Sequence, residues 1–417
     1  MDTAEVQRLA EDLDAFVEDV FASLTRSGWQ ERAGHYLRGL MLDGRRKSIQ
    51  PMATRLAGPH EQALNHFVTN SPWDAASVRR RLAQRMDEAV GPQAWALDDT
   101  GWLKCGTASV GVARQYTGTA GKVTNCQIGV SLNLVTDIAS CPVDWRLFVP
   151  ESWDPDSDKA TPETTERRRR AAMPPDATHR EKWRLGMDMI DEASQWGLHA
   201  PLIVADTGYG DAAEFRQGLE DRDLRYIVGV NSAHTAFTTD TQRTAPPYKG
   251  AGRRPPLIYR EPAPSLKTHV LAAGRDAAGR VTWRDGSRRR AGKTRKMSGT
   301  FIFLRLRPAS LVHRRAAGFD ADLPVRWLIA EWPPGEPEPT RYWLSNLPDT
   351  TPYRHLVRQA KLRWRIEHDY REVKTGLGLD HYEGRTWQGW HHHTTLVSAA
   401  HAFCTLQRLD PKTPAPE

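Results

Sequence analysis

The sequence predicts an α/β protein: a mixed sheet flanked by helices, interrupted by a β-rich insertion and preceded by a helical N-terminal domain. Three observations carry this reading. Residues 1–91 repeat apolar side chains at three- and four-residue spacing (Leu9, Leu13, Phe16, Val17, Val20, Phe21, Leu24), the period of an amphipathic helix. Beyond Pro92, short apolar or alternating runs at 94–99, 126–135, 143–149, 202–205 and 226–230 read as strands, with helical text between the later ones. Residues 231–322 are rich in Pro, Gly and Arg, with short strands such as 300–306.

In order along the chain, Ser71-Pro72-Trp73-Asp74 is a helix start, Asp74 being placed to cap a helix from Ala75. That helix carries Arg79, Arg80, Arg81 and Arg85, and the loop before it carries Arg45-Arg46-Lys47, so residues 1–91 are expected to be a DNA-binding domain. Residues 92–230 are expected to form the first part of a catalytic core, with a helix over 178–197 and another near 212–219. The basic insertion spans 231–322. The core resumes over 323–408 with strands at 325–331 and 341–344 and one long helix over 353–375, and 409–417 reads as a disordered Pro-rich tail.

At 417 residues, with 39% hydrophobic and 26% charged, the composition is that of a globular protein. No apolar run approaches a bilayer span, the first twenty residues are acidic, and four cysteines without C-x-x-C spacing are too few for a secreted scaffold. A cytoplasmic, nucleoid-associated protein with no membrane partner is the expectation. The net charge of +7 is unevenly spread: residues 249–315 hold 18 Lys/Arg against 3 Asp/Glu, and 26–85 hold 11 against 4. Two separated basic regions suit two surfaces for a polyanion, and Arg288, Arg289 and Arg290 lie in the more basic of them.

Acidic residues stand out by position. Asp98-Asp99 ends the first core strand, Asp206 ends a buried strand, and Glu367 lies within the long helix. Carboxylates at strand ends sit where open α/β sheets build sites. Hard oxygen donors from separate elements are what Mg²⁺ or Mn²⁺ requires when a substrate supplies phosphate oxygens. Alternation along the strand aims only one of Asp98 and Asp99 into such a site. Taking about 100° per residue in one continuous helix, with Arg363 at zero, Glu367 falls at about +40°, Tyr370 at about −20° and Lys374 at about +20°. An acid, a phenol and two cations then share one stripe. The run His391-His392-His393 cannot bind one ion, because adjacent helical residues point in different directions, and it reads as surface or DNA-facing.

The strand-end Leu97-Asp98-Asp99-Thr100, the run Leu202-Ile203-Val204-Ala205-Asp206, and Arg363-Trp364-Arg365-Ile366-Glu367 with Lys374 seven residues after the acid resemble a DDE-type insertion-sequence transposase, of the lineage marked Y-(2)-R-(3)-E-(6)-K. Arg363, Glu367 and Lys374 match in register, while the Tyr position falls on Ala360. The resemblance implies an RNase H-like fold, with Asp99, Asp206 and Glu367 as ligands of two Mg²⁺ or Mn²⁺ ions. Asp99 is favoured over Asp98 because it directly precedes Thr100. The resemblance further implies that Arg363, Lys374 and Tyr370 contact transposon-end DNA, and that a homodimer assembles on transposon ends and target. An inactive relative that only binds DNA is the alternative from the same family. A second alternative comes from the paired triplets Asp99-Thr100-Gly101 and Asp206-Thr207-Gly208, which also occur in aspartic proteases.

Overall fold

The computed structural model describes residues 3–56, 61–248, 250, 255–284, 296–318 and 321–410. It divides into two compact units, Met1–His199 with Trp364–Glu417, and Ala200–Arg363. The α/β class expected from the sequence is the one observed.

The first unit begins with helices α1 (Thr3–Val20), α2 (Ser27–Met41), α3 (Ile49–Arg55), α4 (Glu61–Thr69) and α5 (Ala75–Val90). Asp74 caps α5 as its sequence requires, accepting from Ala76 N and Ser77 N at 3.0 Å, and Gly91 ends it in the left-handed region at φ +54°. Four antiparallel strands follow: β1 (Ala94–Leu103), β2 (Ala113–Thr117), β3 (Lys122–Val135) and β4 (Ser140–Leu147). β3 is the longest and the centre of this sheet. Its one edge pairs with β1, and its other edge pairs first with β2 and then with β4. Helices α6 (Thr164–Arg170) and α7 (Lys182–Gln195) complete this stretch.

The second unit contains β5 (Ile203–Ala205), α8 (Thr207–Gly210), α9 (Ala213–Glu220), β6 (Tyr226–Val230), β7 (Ala236–Thr238), α10 (Leu266–Ala273), β8 (Gly279–Arg284), β9 (Met297–Pro308), α11 (Leu311–Ala317), β10 (Arg326–Glu331), β11 (Arg341–Ser345) and α12 (Tyr353–Leu362). β5 and β6 pair in parallel, and the order continues β6-β11-β10-β9 antiparallel, with β7 and β8 both on β9. Besides β7, β8 and β9, the region read as a β-rich insertion holds α10 and α11. Arg288, Arg289 and Arg290 lie outside the described residues.

The chain then returns to the first unit with α13 (Trp364–Arg371) and α14 (Trp387–Leu409). The single helix expected over 353–375 is not formed: α12 ends at Leu362, α13 starts at Trp364, and Glu372–Gly376 widens into a π turn. α14 is buried on nearly every side and packs against α1, α2, α4, α5 and β4. A helix buried on nearly every side needs neighbours all round, and here the N-terminal helices and β4 supply them. This also corrects the histidines. His392 and His393 are each 1% exposed. His392 stacks on Trp73 and lies 2.8 Å from Val68 O, and His393 Nδ1 is 2.9 Å from Tyr36 Oη. Burial pulls both down to about 4, so they pack neutral and face no DNA.

Arg79 is also turned inward. Its Nε lies 2.7 Å from Asp144 Oδ1, Arg146 Nη1 reaches the same oxygen at 2.9 Å, and Arg146 also pairs with Glu192 of α7. The Asp144 side chain is fully buried and joins α5, β4 and α7. Removing Asp144 would take the carboxylate from buried Arg79 and leave Arg146 with Glu192 alone. Asp144→Ala is expected to lower the unfolding free energy by about 3–5 kcal/mol in urea titrations. A loss under about 1 kcal/mol, the range of exposed pairs, would contradict this.

Candidate active site

The β1–β3 register decides which acid faces which helix. Residues directly opposite in an antiparallel pair share a face. Asp98 stands opposite Ser131, which stands opposite Trp145 of β4, whereas Asp99 stands opposite Val130, which stands opposite Arg146. On the Ser131 face, Ser131 Oγ is 2.7 Å from Tyr370 Oη, and the Trp145 and Tyr370 rings lie 6.2 Å apart. Trp145 Nε1 donates to Ser398 Oγ of α14 at 2.9 Å. Helix α13 packs on β1, β3 and β4. The opposite face carries Arg146 with its tie to Glu192, and Asp99 pairs there with Lys182, also from α7. Asp98 therefore shares the face of α13, and Asp99 shares that of α7.

Glu367 lies in the first turn of α13 and is exposed. It precedes Tyr370 by three residues, so both project from one side of the helix. Asp98 is 6% exposed, and its Oδ1 accepts from Asp99 N at 2.9 Å. Tyr370, expected on DNA, instead reaches the sheet. Lys374, also expected on DNA, donates to Gly101 O at 2.8 Å and Thr119 Oγ1 at 2.9 Å, and burial pulls its pKa below the usual lysine value. Of the N-terminal basic trio, Arg45 and Arg46 are exposed, whereas Lys47 is 4% exposed and donates to Leu42 O.

Asp206 and Arg363 belong to the second unit. Asp206 follows the parallel strand β5 and caps α8, its Oδ1 accepting from Gly208 N at 2.9 Å. The turn needs glycine: a Cβ at Gly210 would stand 1.9 Å from Gly229 O. Arg216, 1% exposed, donates to Gly210 O and holds the end of that turn. Arg363 is the cap residue after α12 and is half-buried. Trp364, next to it, is 48% exposed and lies edge-on to His368, so it is a surface aromatic and not core.

Asp98, Asp206 and Glu367 are hard carboxylate donors on a strand, a strand-end turn and a helix, the donor type a divalent hard cation takes. Among the described residues, no three His, Cys, Asp or Glu side chains gather to hold a metal ion by themselves. Asp99-Thr100-Gly101 lies inside the ladder-paired strand β1, and Asp206-Thr207-Gly208 opens a helix. The two triplets therefore lack a common backbone form, which removes the protease alternative.

Sequence reading passed over Ser131, Thr119 and Lys182, because nothing local marks a residue whose partner lies far along the chain. β2 was missed although Thr117-Gly118-Thr119-Ala120-Gly121, between two short alternating runs, is a hairpin signal.

A family model described as DDE superfamily endonuclease matches residues 19–290, and one described as transposase DDE domain matches residues 180–403. A probable transposase for insertion sequence element IS701 from Microchaete diplosiphon is 28% identical over 199 residues, 47% of each chain. The chain thus spans about half the length of the curated relative it matches. A cryo-EM structure of a piggyBac transposase synaptic complex with hairpin DNA aligns over 97% of this chain and 80% of that one, with a TM-score of 0.36 and 10% identity. Each of the two family models covers more than half of the 417 residues, and on that ground the chain belongs to the DDE superfamily of transposase endonucleases.

Proposed function

We propose that the protein is the DNA transposase of a bacterial insertion sequence, cutting at the element's ends and joining the freed 3′-hydroxyl to target DNA. The observation that supports the site assignment is the β1–β3 register, which puts Asp98 on the sheet face that α13, the helix of Glu367, packs against. We therefore assign Asp98, with Glu367 and Asp206, as the metal-binding carboxylates. Asp99 we assign to the ion pair that holds β1 to α7.

Two divalent ions, Mg²⁺ or Mn²⁺, would activate water or hydroxyl and stabilise the leaving oxygen when bound. The protein's part is to hold the acids on unlike supports. Asp98 is fixed by a paired strand, Glu367 by a helix tied to that sheet through Tyr370 and Ser131, and Asp206 by a capped turn. End cleavage and strand transfer are both in-line displacements at phosphorus, so one carboxylate set serves both. Joining two ends calls for two active protomers, which supports a homodimer on DNA. Arg45, Arg46 and the insertion's Arg288, Arg289 and Arg290 are proposed to hold the phosphate backbone. No helix among the described residues is long and apolar enough to cross a membrane.

A defined end duplex tests the assignment. Asp98→Asn and Glu367→Gln are expected to cut Mg²⁺-dependent cleavage by about 10²–10³-fold or more while end binding survives. Asp99→Asn should lower thermal stability and keep most of the cleavage. Loss with Asp99→Asn and retention with Asp98→Asn would reverse the assignment. Absence of cleavage by the unaltered protein, with end binding intact, would favour the inactive DNA-binding relative. In filter or anisotropy titrations, replacing Arg288, Arg289 and Arg290 by Ala should reduce the slope of log K against log salt by about one per lost phosphate contact. An unchanged slope would remove these arginines from the interface.

A further inference from the structure

The end of β1 is stitched to the segment that follows the Glu367 helix. Lys374 Nζ donates to Gly101 O at 2.8 Å and to Thr119 Oγ1 at 2.9 Å. Trp102 Nε1 donates to Leu379 O at 2.5 Å, and Lys104 Nζ donates to Tyr382 O at 2.5 Å. Gly101 and Thr119 are themselves joined, Gly101 N donating to Thr119 Oγ1 and Thr119 Oγ1 lying 3.3 Å from Gly101 O. The three stitches run in step, residues 101, 102 and 104 meeting 374, 379 and 382. Lys374 is the first of them and the nearest in sequence to both Asp98 and Glu367. Its ammonium also lies 6.0 Å from the ring centre of Trp102, which is wholly buried, so it is partly desolvated where it stands.

We propose that Lys374 is a positioning residue: by clamping the π turn after α13 to the end of β1, it sets the separation of Asp98 and Glu367, and its ammonium stays on Gly101 and Thr119 when DNA binds. This rests on the assignment of Asp98 and Glu367 as metal-binding acids. The physical case is the cost of the alternative. Moving the ammonium to a phosphate would strip Gly101 O and Thr119 Oγ1 of a charge-assisted donor. It would also open the first stitch of the row and leave α13 tied to the sheet by Tyr370 on Ser131 and by Arg365 on Ser140 and Ile138, both upstream of the π turn. The π turn fits this role. It departs from the regular helical track at the stretch holding Lys374, which carries that residue toward the strand end and off the stripe that a continuous helix would have shared with Glu367.

The test uses the full chain and reads metal and DNA separately. Terbium(III) binding is followed by tryptophan-sensitised luminescence without turnover, Mg²⁺ dependence by end cleavage, and DNA affinity by anisotropy across a salt series. Lys374→Met is expected to weaken terbium binding by about tenfold or more and to raise the half-maximal Mg²⁺ concentration by a similar factor. The salt slope of DNA binding should not change. Lys374→Arg keeps the donors and should recover most of the metal affinity, which a loss of packing alone would not do. Thr119→Ala removes one acceptor, should shift both metal readouts severalfold in the same direction, and decides the matter should Lys374→Met fail to fold. Wild-type terbium affinity together with a salt slope smaller by about one would make Lys374 a phosphate contact and overturn the proposal. Glu367→Gln serves as the control: if it leaves terbium binding unchanged, the carboxylate assignment fails independently of Lys374.

Discussion

The ten-residue antiparallel register of β1 on β3 is the constraint on which the rest of the first unit depends. A slip of one residue would exchange the faces of every side chain on β1, sending Asp98 toward α7 and Asp99 toward α13. The slip is resisted from both sides. Asp99 finds Lys182 on one face, and Asp98 lies opposite Ser131, whose hydroxyl meets Tyr370 on the other. Trp102, wholly buried, packs against Trp145 and Trp390 only from the face it now occupies. Adjacent acids of identical chemistry thus come to face different helices through backbone geometry alone.

The two faces are held by different kinds of contact. The α5/α7 side gathers Arg79, Asp144, Arg146 and Glu192 into a buried charge cluster and adds the Asp99–Lys182 pair. Such a cluster is costly to break, which suits a junction between N-terminal helices and sheet. The α13 side carries aromatic packing, hydroxyl contacts and the exposed Glu367. In the second unit Asp206 is prepared in a similar way, with Gly208 N donating to the carboxylate and buried Arg216 holding the end of its turn.

Features governed by local chemistry were legible in the sequence. Asp74 capping, the helical period of the N-terminal segment, the strands around residues 126–135 and 226–230, and the strand-end place of Asp206 all follow from neighbours within a few residues. What escaped depends on partners far along the chain. The preference for Asp99 rested on its place before Thr100, while the face each acid occupies is set by β3, about thirty residues later. The stripe of Arg363, Glu367, Tyr370 and Lys374 assumed an unbroken helix; Glu367 and Tyr370 do share one side of α13, but the turn at Arg363 and the π turn at Glu372–Gly376 interrupt it at either end. Three consecutive histidines look solvent-facing by composition, yet α14 is enclosed by the N-terminal helices and β4, so His392 and His393 are buried and neutral. Arg79 was indistinguishable in the sequence from Arg80 and Arg85, which are exposed.

The most direct measurement is anomalous diffraction from crystals of the full chain grown with an end duplex and Mn²⁺. The expected result is manganese density touching the Asp98 and Glu367 carboxylates, with Asp99 still on Lys182. Manganese bound through Asp99, or well ordered elsewhere with Asp98 and Glu367 uncoordinated, would contradict the account.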